Sequence, residues 1–262
     1  MTRKEFKNRL DKLQDVITRG LAYYTVWKKL SLHDADNVTW SLDQQNQILG
    51  RFRGFFSPVA FALLDMGLVQ FVKALDTDSK TASLRILLNS AMRDERLPPH
   101  VSEGDLRKIS GEMRQHKQLL KNLQRMRDQK LAHADANPDP VDPLLTADFD
   151  KLVEWVKSAF NTLSVGYDQN VFSWEQALKT SERQTTEVFG ILLEEMRRQQ
   201  MEHDENMVRI GLNEARRAEV MLGHRLDKET LGSAIGTLGL TEEQMQRIEK
   251  EYNSEATRSV AS

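Results

Sequence analysis

The chain has no cysteine among its 262 residues, and it contains only 13 glycines and 6 prolines. The absence of cysteine excludes disulfides, thiolate metal sites and a cysteine nucleophile. The scarcity of glycine and proline disfavours an all-β sandwich, which needs many turn residues. Valine and isoleucine are also thin beside leucine, alanine, glutamate, arginine, lysine and glutamine, which are the better helix formers. The composition therefore predicts an all-α protein.

Long hydrophobic runs are rare as well. The longest apolar stretch, residues 55–72, is interrupted by Ser57-Pro58, Asp65 and Gln70, so it predicts a buried helix and not a membrane span. The amino-terminal segment MTRKEFKNRLDKL is charged throughout and has no apolar core of the kind found in signal peptides. We therefore expect a cytoplasmic protein that does not enter a membrane. The net charge of −2 argues against a protein that permanently coats nucleic acid, but it allows a local basic groove.

Apolar residues at three- and four-residue spacing predict a series of helices over residues 1–167. The first is expected over residues 3–29, and a central core helix, apolar nearly all round, over residues 58–75. A single long helix is expected from Glu103, after the capping residue Ser102, to about Ala134. Another should run from Thr146 to a stop near Gly166. We predict that residues 1–167 form the core domain.

Residues 168–252 differ in composition and are predicted to form a helical extension. From Ser173 to about Leu222 the sequence favours a helix but is very polar, and the run RRQQMEHDEN has almost no apolar residue. A heptad starting at Phe189 soon places polar residues at its core positions, so a regular coiled coil fits poorly. The pattern favours an arm that contacts a neighbour over a core of its own. A short last helix should follow Thr241, and residues 253–262 are predicted to be a disordered tail.

Strong catalytic motifs are missing, because the chain has no glycine-rich phosphate loop, no HExxH and no GxSxG. No histidine and carboxylate cluster has metal-ligand spacing, so we predict neither a metal nor a cofactor. What remains is Arg127, which precedes His133 with five residues between them. A guanidinium can hold a phosphate through paired hydrogen bonds, and a histidine can exchange protons near neutral pH. Together they could cleave RNA without a metal.

That spacing alone carries little information. Arg197 precedes His203 at the same spacing, and Arg93 precedes His100, and Arg217 precedes His224, at a spacing one residue longer. Local charge distinguishes Arg127 and His133. Residues 107–130 include eight basic residues and only two acidic ones. A helix with this excess of positive charge can bind along a phosphate backbone. We predict RNA contacts by Lys117, Lys121, Arg125 and Lys130, although these side chains could equally form pairs on the helix surface.

The segment RDQKLAHAD, residues 127–135, resembles the signature of the HEPN superfamily, which is an arginine, a polar residue, a few residues and a histidine. With YYTVWKKL and KALDTDSKTASLRILL upstream, the chain is similar to the AbiU-type branch, named for abortive infection of phage-infected bacteria, over roughly residues 1–165. The resemblance implies an antiparallel helical bundle, a homodimer with a composite cleft and a metal-independent ribonuclease, although some members have lost activity. It assigns catalytic roles to Arg127, Asp128 and His133. Asp135 replaces the tyrosine that a partner nucleotidyltransferase modifies in some members, which argues against that switch.

Two functional hypotheses follow. The first is a dimeric endoribonuclease that acts in phage defence or as a toxin and cleaves RNA by attack of the 2′-hydroxyl. On an ideal helix Arg127 and His133 would lie about 120° apart, so either the helix changes between them or a second protomer supplies half of the site. The alternative is a non-catalytic HEPN scaffold that dimerises and recruits a protein partner, or an antitoxin, through residues 173–252.

Overall fold

The computed structural model of the chain describes residues 1–31, 41–78, 80–94, 96–132 and 144–260. Those residues form helices joined by short connections, and none of them lies in a β-strand. The chain divides into two compact units, Met1–Phe189 and Gly190–Ser262. The prediction of an all-α fold is therefore confirmed.

Within the described residues, the first unit contains seven complete α-helices and the beginning of an eighth. In chain order they are α1 (Arg3–Leu30), α2 (Leu42–Arg51), α3 (Arg53–Ala74), α4 (Leu84–Arg93), α5 (Glu103–Gln115), α6 (Lys117–Met126), α7 (Thr146–Asp168) and α8 (Trp174–Leu222), which continues into the second unit. A π-helix, Arg127–Ala132, follows α6 directly.

Helix α1 begins with a complete capping box, in which Thr2 accepts from the backbone of Glu5 and the Glu5 carboxylate accepts from the backbone of Thr2. Its apolar side chains recur every three or four residues and are buried along one face: Phe6, Leu10, Leu13, Ile17, Leu21 and Tyr24. The opposite face of α1 carries charged residues, and three of them, Lys12, Asp15 and Arg19, line a cavity at the candidate site.

Helix α3 packs along α1 and is apolar on nearly all sides. It contributes Gly67, Leu68, Phe71 and Val72 to the interior of the first unit. Among the described residues it is the one helix long and apolar enough to cross a bilayer, and 33% of its most apolar segment is buried. A core helix meets the same criteria of length and composition, and the contact with α1 identifies α3 as a partly buried core helix.

Helix α7 closes this core with its own apolar stripe. The ring of Phe149 meets the rings of Tyr24 and Phe71 edge to face, at centroid distances of 4.8 and 5.2 Å. The hydroxyl of Tyr24 donates to the carboxylate of Asp150 at 2.9 Å. Burial, followed by this hydrogen bond, raises the pKa of Tyr24 well above its usual range. Helices α1, α3 and α7 are thus joined through aromatic contacts.

The prediction of one helix from Glu103 to about Ala134 is wrong in two places. The chain leaves helical geometry at His116, where ψ is 3°, and this separates α5 from α6. It then changes from α- to π-helical hydrogen bonding at Arg127. No glycine or proline stands at either position, and the imidazole of His116 lies 5.4 Å from the ring of Trp155 on α7. The break therefore coincides with a tertiary contact that leaves no local sequence signal.

The second unit has a hydrophobic core of its own, which corrects the expectation that this region lacks one. Val208, Leu212 and Ala215, at four- and three-residue spacing on α8, pack with residues of α9 (Lys228–Ile235) and α10 (Glu242–Val260). Tyr252 is buried there, and its hydroxyl donates to Glu219 at 2.8 Å and accepts from the backbone of Leu226 at 3.2 Å.

The domain boundaries predicted from the sequence can be placed on these elements. Residue 167 lies near the end of α7, and the first compact unit continues through Phe189 on α8. Helix α10 begins as predicted, with a capping box between Thr241 and Gln244. It extends to Val260, so residues 253–260 are helical where a disordered tail was expected. No glycine or proline interrupts that segment.

We expect Gly20→Ala to lower the free energy of unfolding by about 1–2 kcal/mol. The added Cβ would lie 3.1 Å from Cβ of Gln70 and 3.2 Å from Cε2 of Phe71 on α3, and Phe71 is fully buried. Gly67→Ala is the matched control, because its Cβ would meet no atom nearer than 3.6 Å. Alanine should favour that helix by about 0.5–1 kcal/mol. Urea unfolding followed by circular dichroism measures both, and equal effects would contradict close packing at Gly20.

Candidate functional site

The arginine of the predicted motif lies where helical geometry changes. Arg127 ends α6 and begins the π-helix Arg127–Ala132, which packs against α3. In a π-helix each hydrogen bond spans five residues, so the turn is wider than in an α-helix, and such turns occur frequently at functional sites. Residues five apart, such as Arg127 and Ala132, therefore lie closer to one face than they would on an α-helix. His133 and Asp135 are outside the described residues.

The side chain of Arg127 is held by its neighbour Asp128. Its Nε atom donates to Oδ1 of Asp128 at 2.7 Å, and its Nη2 atom lies 2.7 Å from the same oxygen in an ion pair. The Arg127 side chain is 31% exposed and that of Asp128 is 54% exposed. A guanidinium carries five N–H donors, so this contact leaves others able to meet an anion. Asp128 therefore restricts where the guanidinium of Arg127 points.

Arg127 also lines a pocket of about 480 Å³ between α1, the carboxyl end of α3 and the turn that follows α3. We call this the motif pocket, and its lining residues are Lys12, Asp15, Val16, Arg19, Lys73, Asp76, Thr81, Ala82 and Arg127. Four of these side chains are cationic and two are acidic. The pocket therefore has the excess positive charge that favours an anion such as phosphate.

The two carboxylates of the motif pocket do not neutralise its lysines within the described structure. Oδ1 of Asp76 accepts from the backbone N–H groups of Thr77 and Asp78, at 2.6 and 3.2 Å. Arg19 donates to the backbone carbonyl of Asp15 at 3.3 Å, and not to its carboxylate. Neither Lys12 nor Lys73 forms an ion pair with any residue that the structure describes.

Sequence reasoning missed Lys12, Arg19 and Lys73, because these residues are distant from the motif along the chain. A partial signal exists for two of them. Lys12 and Arg19 are seven residues apart on α1, so they share a face of that helix, turned away from its apolar stripe. Only the packing of α1 against α3 brings that face to Arg127, and a single sequence does not report that contact.

A second cavity, of about 740 Å³, lies between the end of α3 and helices α4, α5 and α6. We call it the basic groove. Its lining residues are Leu75, Thr77, Arg85, Asn89, Ser110, Met113, Arg114, Gln115, Lys117, Gln118, Leu120, Lys121 and Gln124. Four of them are basic and none is acidic. The groove thus collects positive charge on three helices of a chain that is negative overall.

The structure places the predicted RNA contacts in different surroundings. Lys117 and Lys121 both line the basic groove, where Arg85 and Arg114 accompany them. Arg125 is half-buried and lines neither cavity. The backbone of Lys130 belongs to the π-helix, and its side chain is outside the described residues. The two groove lysines and Arg127 are therefore the predicted residues whose side chains line these cavities, and Asp128 lines neither cavity but contacts Arg127.

His116 lies between α5 and α6, within the basic region of residues 107–130, and does not line the basic groove. Its imidazole packs on Trp155, and partial burial lowers the pKa of His116, an effect that the charge of Glu112 opposes. At neutral pH the ring is accordingly held in its neutral form. Among the described residues, no group of three or more histidine, aspartate and glutamate side chains could hold a metal ion. Independence from metal stays a prediction for the cleavage chemistry.

We expect the motif pocket to bind inorganic phosphate at constant ionic strength. At a phosphate concentration about tenfold above its dissociation constant, the melting temperature should rise by about 3 °C. Lys73→Gln should reduce that rise by at least half, because it removes a pocket cation. Lys4→Gln, an exposed change of the same charge on α1, is the control and should keep the full rise. Equal responses of the two variants, measured by differential scanning fluorimetry, would contradict phosphate binding in this pocket.

A family model described as AbiU2, of the HEPN superfamily, matches residues 3–187. The match ends within the first part of α8, two residues before the first compact unit ends at Phe189. Neither curated proteins nor solved structures gave a match. The matched region covers more than half of the chain and confirms the resemblance found in its sequence. The chain therefore belongs to the AbiU2 family of HEPN proteins, an abortive-infection family that acts in phage defence.

Proposed function

We propose that this HEPN domain is a metal-independent endoribonuclease and acts as the effector of a phage-defence or toxin system. The observation that carries the proposal is the motif pocket, in which the guanidinium of Arg127 shares a cavity with Lys12, Arg19 and Lys73. A phosphodiester bound there would meet several cations at once. A pentacovalent phosphorus is stabilised mainly by positive charge that is already in position when the reaction begins.

In the proposed reaction the ribose 2′-oxygen attacks the adjacent phosphorus. A bond forms between phosphorus and the 2′-oxygen, and the bond from phosphorus to the 5′-oxygen of the next nucleotide breaks. The 2′-hydroxyl gives up its proton and the leaving 5′-oxygen gains one, so His133 serves as the base or as the acid. The products are a 2′,3′-cyclic phosphate and a 5′-hydroxyl. DNA lacks the nucleophile, so it is not a substrate.

The cations of the motif pocket have distinct parts in this proposal. Arg127 stabilises the additional negative charge of the phosphorane, and Lys12 and Lys73 hold the phosphate and its neighbours by charge. Asp128 orients Arg127 through a hydrogen bond from Nε and an ion-pair contact with Nη2, both at 2.7 Å, and does not itself exchange a proton. We therefore describe Asp128 as a positioning residue of this site.

Assembly into a dimer would complete the proposed site. The HEPN family implies dimerisation, and we propose a homodimer in which the motifs of both protomers meet in one cleft. The Arg127 side chain is 31% exposed, so a second protomer can reach it. In such a cleft the arginine of one protomer can serve with the histidine of the other.

A non-catalytic scaffold is the second candidate, and an observation in the second unit favours it. Val220 and Met221, near the end of α8, are 83% and 86% exposed. Adjacent exposed apolar side chains are a common feature of protein contact surfaces. In this alternative the HEPN domain dimerises and residues 173–252 recruit a protein partner or an antitoxin. RNA cleavage separates the two candidates, because a scaffold would leave RNA intact.

We expect the purified full chain to cut RNA in the presence of EDTA, leaving 2′,3′-cyclic phosphate ends. His133→Ala should reduce the rate by at least about a hundredfold, and Arg127→Ala by a similar factor. His203→Ala and Arg197→Ala are matched controls, because they remove an exposed histidine and an exposed arginine from α8. Structured RNA, unstructured RNA and DNA of the same sequence serve as substrates. If the wild type and His133→Ala leave every RNA equally intact, the scaffold function replaces this one.

We expect the chain to be a dimer whose two protomers share the cleft. Light scattering of the full chain should give a mass of about twice 30.2 kDa. An equal mixture of Arg127→Ala and His133→Ala protomers, refolded together, should regain about a quarter of wild-type cleavage. Half of the dimers are then mixed, and each mixed dimer has one intact pair in trans. A monomeric mass, or a mixture as inactive as its components, would contradict sharing of the site between protomers.

A further inference from the structure

The basic groove contains cations that have no ionic partner in the described structure. Arg85, Arg114, Lys117 and Lys121 form no ion pair there. Elsewhere in the chain many exposed cations are paired, for example Arg107 with Glu103 at 2.6 Å and Arg198 with Glu195 at 2.7 Å. Four like charges around one cavity repel one another, and an anion that enters the cavity relieves this repulsion.

These cations lie along the length of the groove and are not gathered at a single point. Arg85 comes from α4, Arg114 from α5, and Lys117 and Lys121 from α6. Lys117, Lys121 and Gln124 follow one another at spacings of four and three residues, so they form one face of α6. A row of cations along a helix suits a ligand with repeated negative charges better than one isolated phosphate.

The rest of the groove can accommodate bases. Leu75 and Met113 are buried residues of the lining, and Asn89, Gln115 and Gln124 contribute amide side chains to the same lining. An amide group can donate and accept hydrogen bonds, so it can pair with the edge of a base. Those edges are available in unpaired nucleotides and are already occupied in a duplex. Charge and lining together favour a single strand.

The basic groove and the motif pocket are neighbours. Leu75 and Thr77 line the groove, whereas Lys73 and Asp76, which alternate with them along the chain, line the pocket. Gln124 of the groove is followed one helical turn later by Arg127 of the pocket. The end of α3 and the end of α6 thus form walls of both cavities. A strand held in the groove would reach Arg127 without crossing the body of the protein.

We infer that the basic groove binds a single-stranded segment of RNA next to the phosphate that enters the motif pocket. This inference rests on the proposed function for the identity of the strand as RNA. It adds a location for the substrate outside the reacting phosphate and a preference for unpaired nucleotides. Arg85, Arg114, Lys117 and Lys121 contact the backbone, and Asn89, Gln115 and Gln124 face the bases.

Binding can be measured apart from cleavage by using the full-length His133→Ala protein. The probe is a fluorescein-labelled single-stranded 12-nucleotide RNA, followed by fluorescence anisotropy. Adding Lys117→Gln and Lys121→Gln should raise the dissociation constant about tenfold near 0.15 M salt. The slope of log affinity against log salt should fall by about 1.4, which is about 0.7 for each lost phosphate contact. Lys4→Gln with Lys108→Gln, the same charge change at exposed positions outside the groove, should change the constant less than about twofold.

Competition identifies the ligand. An unlabelled RNA duplex of equal length should compete at least about tenfold less well than the single strand, and ATP should not compete at micromolar concentration. Equal competition by duplex would overturn the inference, as would displacement by ATP or an equal effect of the two double variants. In otherwise wild-type protein, Lys117→Gln with Lys121→Gln should raise KM and leave the rate at saturating RNA unchanged.

The outcomes also separate this inference from the proposed function. If the wild-type protein binds single-stranded RNA through the groove lysines but never cuts it, RNA binding in the groove is supported and the ribonuclease function is contradicted. If the wild-type protein cuts RNA and its KM stays the same after both groove lysines are replaced, the ribonuclease function is supported and RNA binding in the groove is contradicted. The two failures are therefore distinguishable with the same set of variants.

Discussion

The candidate site depends on the close packing of α1 against α3. At their contact, Gly20 allows Gln70 and the fully buried ring of Phe71 to approach the backbone of α1. This contact fixes the angular position of α1, and with it the face that carries Lys12 and Arg19. The same contact fixes the carboxyl end of α3, where Lys73 lies. A core interaction between small and aromatic residues thus determines which cations surround Arg127.

The distribution of ion pairs separates the polar surfaces of this chain by role. Helix α8 pairs its arginines within its own turns, as Arg183 does with Glu187 and Arg217 with Glu214. Such pairs keep a long polar helix solvated and contribute little to stability each. The cations of the basic groove lack partners of this kind among the described residues. The local sequence already separates the two sets, because α8 carries many carboxylates beside its arginines, whereas residues 107–130 contain only two carboxylates.

The sequence predicts those features that depend on local pattern. The apolar spacing of α1, the capping residues of α5 and α10, and the charge bias around Lys117 and Lys121 are all local, and the structure contains each of them. Features that depend on contacts between distant segments were missed. The break at His116 coincides with a contact to Trp155, and the core of the second unit needs α9, a short helix that the sequence analysis did not predict. Lys12, Arg19 and Lys73 reach the site only after folding.

The π-helix relates the motif to its surroundings in a way that the spacing alone did not anticipate. On a continuous α-helix, residues six apart face different directions, and we inferred from this that the helix changes or that a second protomer contributes. The helix does change, since π-helical hydrogen bonding begins at Arg127 itself. The π-helix packs against α3, and Arg127 at its start forms an ion pair with Asp128. Because Arg127 also lines the motif pocket, the change in helical geometry and the positive charge of the pocket coincide at one residue. That coincidence is the physical reason to place the chemistry at the end of α6 and not at the other arginine and histidine pairs of the chain.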